Sequence, residues 1–572
     1  MEYSAILHDM DKRFCYAIDK DLFVIRVQVK KDDIKEIILH YEDKYIPLGW
    51  KDTRKTISMK KVATSQFHDY YEAQLQMHLI CLRYYFEFTD MQGEKVYYGN
   101  YEFSRECITN RDRMFDCPQN LREEEMFEVP EWAANKVVYQ IFPSRFAATE
   151  PVDKELWYKA PITPMDDLHG NLRGIIEHMD DIQNLGIDVL YMTPIFQSNS
   201  CHKYDTTDYY QIDPSFGTTE DLKELVQKAH ERGMKVVLDA VYNHTGREFF
   251  AFADILENGE KSKYRDWYFI DGFPLKSEWG EIPNFKCFGY YGGMPKLNLK
   301  NPEVEKYITD VACYWIKECD IDGWRLDVGD EISHFFWKNF RKAVKAVKKD
   351  MLIIGEIWHY AGDFLEGDEW DTVMNYPFYL NLIDLLADEK ITVSQFVQNL
   401  GYLKGRLHKN CYPLMWNLID SHDTARFLHL CNDNKKKQHL AAAFQLLLPG
   451  MPMIYYGDEY AMPGANDPDC RRGMYWDEEY QDKEMYEWYK RLIQVRKSHA
   501  CIVEGELAGS VTEDEEGTIV LIRKNGEETI AMIFNCSSSA KKFNEYTQKY
   551  NLLTENTFDG NVEGFDAAVI VL

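Results

Sequence analysis

Excess positive charge is the first thing this chain lacks. Its 572 residues carry 66 Lys and Arg against 95 Asp and Glu, a formal net charge of −29. No basic footprint is supplied, which argues against a nucleic-acid partner and against an anionic membrane surface. Long apolar runs are missing too. None approaches the ~18 residues of a spanning helix, so no membrane partner is expected. The start, MEYSAILHDMDKRF, has no apolar stretch of the signal-peptide kind. The 13 cysteines, from Cys15 to Cys536, are odd in number and form no C-x-x-C pair. They give neither a disulfide framework nor zinc-ligand spacing, and read instead as reduced thiols of a cytoplasmic protein. No internal repeat or low-complexity tract stands out. What the chain does have is core-forming material, 45% hydrophobic and 14% aromatic residues. At about 100–200 residues per domain, that suits several domains or one large one with attachments.

Residues 1–125 read as β-structure. DLFVIRVQVKK (from Asp21), YYEAQLQM (from Tyr70), RYYFEFTD (from Arg83) and EKVYYGN (from Glu94) alternate apolar and polar side chains and end at turn signals such as Gln92-Gly93. Short strands of this kind predict a β-sandwich. The charged run LREEEMFEVPEW, Leu121 to Trp132, reads as a linker.

From Asn135 the rhythm changes. Eight short apolar runs follow: VVYQIF, DVLYMTP, VVLDAV, GWRLDV, LIIGE, TVMN, LMWNLID and PMIYYG. Runs of this length suit strands of a parallel sheet buried on both faces. Amphipathic segments lie between them, with Thr218 a helix N-cap and Asn301-Pro302 a cap followed by proline at the first helical position. Eight strands each followed by a helical pattern predict a (β/α)8 barrel over residues 126–498. The alternative, a doubly wound sheet, wants a G-x-G-x-x-G after the first strand, and none is there. One connection, about residues 246–299, is too long for an ordinary loop and reads as an inserted subdomain over the barrel mouth. Strand-like pieces return in 499–572 (GTIVLIRKN, ETIAMIFNC, AAVIVL) as a closing β-sandwich domain.

In such a barrel, side chains at the C-terminal strand ends face the catalytic rim. Here those ends carry Asp239, Asn243 and His244, then Arg325 and Asp327, then Glu356, then His422 and Asp423. Any one of them alone suits a capping or surface group; their succession points to one site. Cleavage of a glycoside with retention needs a nucleophile and an acid/base about 5–5.5 Å apart. Asp327 fits the nucleophile, because Arg325 two residues earlier faces the same way and should keep the carboxylate ionised and oriented. Glu356, on the next strand, fits the acid/base that protonates the leaving oxygen. Trp358 suits an aromatic floor for the leaving sugars or an ordinary packed tryptophan.

The segments DAVYNH (Asp239–His244), GWRLDV (Gly323–Val328), GEIWH (Gly355–His359) and SHDT (Ser421–Thr424) closely resemble the four ordered motifs of the α-amylase family, glycoside hydrolase family 13. MPKLN (Met294–Asn298), HKYDTTDYYQIDPSFG (His202–Gly217), VMNYPF (Val373–Phe378), and IYYGDE followed by GANDPDCRR (Ile454–Arg472) resemble its neopullulanase, cyclomaltodextrinase and maltogenic amylase group. The resemblance covers essentially the whole chain. It implies a retaining α-glucan hydrolase with Asp327, Glu356 and Asp423 as catalytic set, acting on cyclomaltodextrins, maltooligosaccharides and pullulan, with transglycosylation beside hydrolysis. It further implies Tyr204 stacked under the cleaved ring and His244, His422 and Arg325 around it. Asp467 and Arg471 would close the non-reducing side. A homodimer formed through the N-terminal domain is the partner it suggests.

The sequence departs from many relatives in one place. They carry an Asn/Asp-rich calcium loop after the first barrel strand, where this chain has SRFAATEPVDKELWYK with only Glu150, Asp153 and Glu155. Ca2+ wants about six to eight oxygens. No cofactor is required by the chemistry, and a Ca2+ ion is left open. Other readings also stay open here: a non-catalytic glucan-binding protein, or a relative dominated by transfer or by α-1,6 cleavage.

Overall fold

Apolar runs become strands where both their faces are covered, and all eight runs read from the sequence do so. In the computed structural model the barrel strands are Val138–Ile141, Val189–Met192, Lys235–Ala240, Gly323–Leu326, Leu352–Gly355, Thr372–Val373, Trp416–Asn417 and Met451–Tyr455. Each pairs in parallel with its sequence neighbour, and the first also pairs with the last. The remaining gap, between the sixth and seventh strands, is bridged where Met374 meets Trp416 and Asn375 N–H donates to the Trp416 carbonyl at 2.8 Å. The fold is thus a (β/α)8 barrel.

The structure describes residues 1–47, 54–76, 81–118, 126–277 and 282–572. Part of the expected linker (121–125), the Met77 end of one expected strand, and 278–281 of the expected insert lie outside the described residues.

The chain divides into two units. The first comprises Met1–Val129, Ala361–Asp371 and Ile391–Tyr412. Its centre is two antiparallel sheets. One runs Cys15–Ala17, Leu22–Lys30, His68–Gln76, Lys60–Thr64; the other is built on Ile34–Asp43 and Cys81–Asp90. Ile25, Val27, Leu39, Leu82, Tyr84, Phe86 and Phe88 fill the space between them. The helix Val393–Arg406 belongs to this unit through its glycines. A Cβ at Gly401 would strike the Thr64 carbonyl and one at Gly405 the Tyr70 ring. Arg26 reaches the end of the same helix, donating from Nη1 to the Leu407 carbonyl at 3.0 Å.

The second unit, Pro130–Tyr360, Thr372–Lys390 and Pro413–Leu572, holds the barrel and the C-terminal β-domain. Helices surround the strands where the caps predict them. Thr218 forms a capping box with Asp221, and Asn301 Oδ1 accepts from Glu303 N with Pro302 following. The insert contains a helix, Phe250–Asn258, and is tied to the third strand's end by the bridge His244 to Lys296. Rings of Phe252, Tyr268 and Phe285 pack within it. The C-terminal sheet orders Glu506–Glu513, Thr518–Asn525, Glu528–Asn535 and Asp566–Val571, then two short strands. The antiparallel pair Lys541–Lys542 with Asn561–Val562 supplies Val562 to a small core with Val520, Ala531, Ile533, Phe543 and Ile570.

Candidate active site

Register places the acids. Leu326 pairs with Gly355, so the next residues, Asp327 and Glu356, leave adjacent parallel strands side by side; such strands stand about 4.8 Å apart. Arg325, fully buried, lies between them. Its Nη1 donates to Asp327 Oδ1 at 2.9 Å and to Asp239 Oδ2 at 3.0 Å. Its Nη2 lies 2.9 Å from Glu356 Oε2, an ion pair whose angle falls short of a hydrogen bond, and 3.8 Å from Asp423 Oδ2. Four carboxyl groups therefore share one guanidinium.

The remaining contacts give each acid a distinct setting. Asp327 Oδ2 is buried and has no hydrogen-bond partner among the described residues. Glu356 Oε2 accepts from Val328 N–H at 2.9 Å and its Oε1 from Trp358 Nε1 at 3.1 Å. That bond fixes Trp358, whose ring stacks on Tyr376 at 4.0 Å and stays 41% exposed. Val328 is held at φ 48°, a conformation costly for a β-branched residue. It turns the Val328 N–H toward Glu356. Asp423 sits beside His422, with Nε2 to Oδ2 at 3.2 Å, and beside Arg471, with Nη2 to Oδ1 at 3.4 Å.

Tyr204 and His422 lie parallel, with centroids 5.5 Å apart, and the Tyr204 hydroxyl touches His422 Nε2 and donates to Asp239 Oδ2 at 3.0 Å. Tyr191 OH donates to the same oxygen at 2.7 Å. His244 is differently engaged from the expectation. Its Nε2 faces the Tyr204 carbonyl at 3.1 Å, its Nδ1 lies 3.5 Å from the Asn243 amide, and Phe288 stacks on the ring. Both nitrogens thus already have protein partners. Arg471 ties three things together: Nε donates to the His422 carbonyl at 2.8 Å, Nη1 pairs with Asp467 at 2.8 Å, and Nη2 meets Asp423. Asp467 is half exposed. Asn243 accepts from Lys296 Nζ and donates to Glu331 Oε2 at 3.2 Å, bracing the insert.

Electrostatics departs from the expectation at Asp327. Burial, with Glu356, Asp239 and Asp423 nearby, raises its carboxyl well above the usual range, although Arg325 acts to lower it. One cation does not offset four acids out of water. Burial likewise raises Asp239 to about 6 against Arg325 and two tyrosine hydrogen bonds. Burial lowers His244 to about 3; burial, then Arg471 and Arg325, lower His422 well below its ordinary value. Both imidazoles are neutral. Among the described residues no group of His, Cys, Asp and Glu is arranged to hold a metal ion. Sequence reading did not single out Gln140, Tyr191, Tyr376 or Val328. Gln140, an amide in an otherwise apolar strand, was a legible signal; the aromatics looked like ordinary core.

This constellation at the C-terminal ends of barrel strands is that of a glycoside hydrolase. Residues 140–480 match the α-amylase catalytic domain, and residues 1–119 the α-amylase N-terminal ig-like domain. The chain belongs to the α-amylase family. A cyclomaltodextrinase of Geobacillus thermopakistaniensis (strain MAS1) is 42% identical over 547 residues, 94% of this chain and 92% of that protein. Neopullulanase 2 of Thermoactinomyces vulgaris is 39% identical over 541 residues, 94% of this chain and 91% of its own. A solved structure of a cyclomaltodextrinase, 37% identical, superposes with a TM-score of 0.94 over 100% of both chains. No helix among the described residues is long and apolar enough to cross a membrane.

Proposed function

We propose that this enzyme hydrolyses α-1,4 bonds, and some α-1,6 bonds, in cyclomaltodextrins, maltooligosaccharides and pullulan, transferring glycosyl groups to sugars as a side reaction. The observation that carries the reading is the placement of Asp327 and Glu356 on adjacent strand ends, one on each terminal nitrogen of Arg325. Asp327 Oδ2, the oxygen without a partner, attacks the anomeric carbon while Glu356 gives its proton to the leaving oxygen; the C–O bond breaks and a glycosyl-Asp327 ester forms. Water then enters on the leaving-group side, Glu356 takes its proton, and the ester opens with the original anomeric configuration. A second sugar in place of water gives transfer. The close carboxyl cluster favours retaining a proton in the site, as a mechanism needing one acid beside one nucleophile requires.

Asp423, with His422 and Arg471 beside it, grips ring hydroxyls, an interaction that counts most as the ring flattens toward the transition state. Tyr204 lies under the ring and Trp358 serves the leaving-group side. His244 acts chiefly by holding the Tyr204 backbone, and Asp467 with Arg471 bounds the non-reducing end.

In this reading residues 1–125 are an accessory domain, 126–498 the catalytic domain and 499–572 a closing β-domain. The first forms a homodimer; its exposed rings Tyr3, Tyr101 and Phe103 support that, and the mass of the chain in solution tests it. A cytoplasmic location is supported by thirteen free cysteines, most of them buried. Chromatography of products from β-cyclodextrin, pullulan, maltotriose and starch in parallel tests the substrate assignment. Fast ring opening of the cyclodextrin with slow attack on starch is expected; the reverse order overturns it.

A further inference from the structure

Gln140 is the one amide side chain of the first barrel strand, VYQI, and it is fully buried. Its Nε2 lies 2.7 Å from His422 Nδ1, and its Oε1 has no hydrogen-bond partner among the described residues. The far side of the imidazole decides what this contact means. There His422 Nε2 meets the Tyr204 hydroxyl and, at 3.2 Å, Asp423 Oδ2. A carboxylate oxygen at 3.2 Å accepts, and the single proton of Tyr204 is committed to Asp239 Oδ2. The hydrogen of the ring therefore sits on Nε2. A neutral imidazole in that form has a bare acceptor at Nδ1, and a buried bare acceptor is costly unless a donor meets it. The Gln140 amide is that donor.

We propose that Gln140 is a positioning residue of the active site, donating to His422 Nδ1 and so fixing the neutral Nε2–H form that presents its hydrogen toward Tyr204 and Asp423. The inference deepens the functional reading above and rests on it. The groups facing the ring agree with it. Burial opposes a second proton on His422, as do Arg471 from the loop after the eighth strand, Arg325 from the fourth, and His202 beside Tyr204; among the described residues Asp423 is the one acid in direct contact. An amide donates without adding charge to this crowded centre, where a carboxylate would draw a proton onto Nδ1 and make an imidazolium. The logic is that of a buried partner selecting an imidazole tautomer in other hydrolytic sites.

The test uses the full chain and three measurements. With β-cyclodextrin as substrate, Gln140→Glu should move the acid limb of the kcat/KM profile upward by about one pH unit or more, with activity returning on the alkaline side. Gln140→Leu should lower kcat/KM about 10- to 100-fold, as losing a partner to a buried polar group does, with the limb unmoved. Independently of whether either variant folds, long-range 15N spectra of the histidine-labelled parent should show His422 with a bare Nδ1, its signals assigned by their loss in His422→Gln. An unmoved acid limb in a folded Gln140→Glu, or a His422 ring protonated at Nδ1, overturns the inference. A parent inactive on every glucan would instead overturn the functional reading, while the spectrum would still report the tautomer.

Discussion

Arg325 has five donors in a planar fork, and the site uses both terminal nitrogens to hold acids from three strands and a loop. The consequence is a division of labour between two carboxyl groups of like chemistry. Asp327 keeps one oxygen on the guanidinium and the other without a partner; Glu356 accepts on both, from Val328 and Trp358. Replacing Glu356 by Gln removes the proton donor and leaves the attacking side intact. Steady-state rates should therefore collapse on cyclodextrins yet persist in part on aryl glucosides whose leaving groups need no protonation; equal losses on both would remove Glu356 as the acid. Asp327, Glu356, His422 and Asp423 were legible in the sequence because strand ends in a barrel face one rim. The settings of Asp327 and His244 were not. The raised Asp327 carboxyl depends on three other acids converging in space, and His244 on a backbone carbonyl, neither of which leaves a trace in local pattern.

At the scale of elements, the barrel strands were legible because burial on both faces makes continuous apolar runs, and the helices because of caps such as Thr218 and Asn301. The ten-residue strand Ile34–Asp43 was missed. A register shift between Ile34 and Glu36 sets Ile34 out of step with the inward Ile37 and Leu39 and so breaks the alternation at its start. The helix Val393–Arg406 also shows what pattern alone does not: it lies inside the 126–498 span expected to form the barrel domain, yet it packs within the unit of the N-terminal sheets through Gly401 and Gly405. Cutting away residues 1–125 would strip that helix of its partner. A sharper probe is Gly401→Ala. The added Cβ meets a backbone carbonyl that cannot rotate away, and overpacking of this kind costs about 1–3 kcal/mol. Denaturant melts should show that loss; an unchanged midpoint would mean that the helix does not sit against Thr64.

For the whole molecule, the two units should respond differently to acid. In the first, burial lowers His8 to about 4, and His408, with Arg26 adding to burial, to about 3. The folded rings stay neutral where unfolded histidine, near 6.5, takes a proton. That contribution to stability is complete above about pH 6.5 and is lost as pH falls toward 4, at about 1.4 kcal/mol per histidine per pH unit. In the second unit His244 and His422 act in the same sense, but burial raises Asp239 to about 6 and Glu459 to about 7. A carboxyl raised in the folded state binds its proton there first, so its contribution grows as pH falls from about 7 to about 4 and offsets the histidines. Hydrogen exchange, corrected for intrinsic rates, should show protection of Leu22–Lys30 falling more between pH 7 and 5 than that of Lys235–Ala240. Equal losses would contradict the assignment of neutral buried histidines to the first unit.

The central claim is a double displacement by two acids on neighbouring strands, and stereochemistry reads it most directly. Proton NMR of sugar released in the first turnovers from a maltooligosaccharide, before mutarotation, should show the α-anomer accumulating first. Initial release of the β-anomer would mean a single displacement by water and would contradict the account of Asp327 as nucleophile.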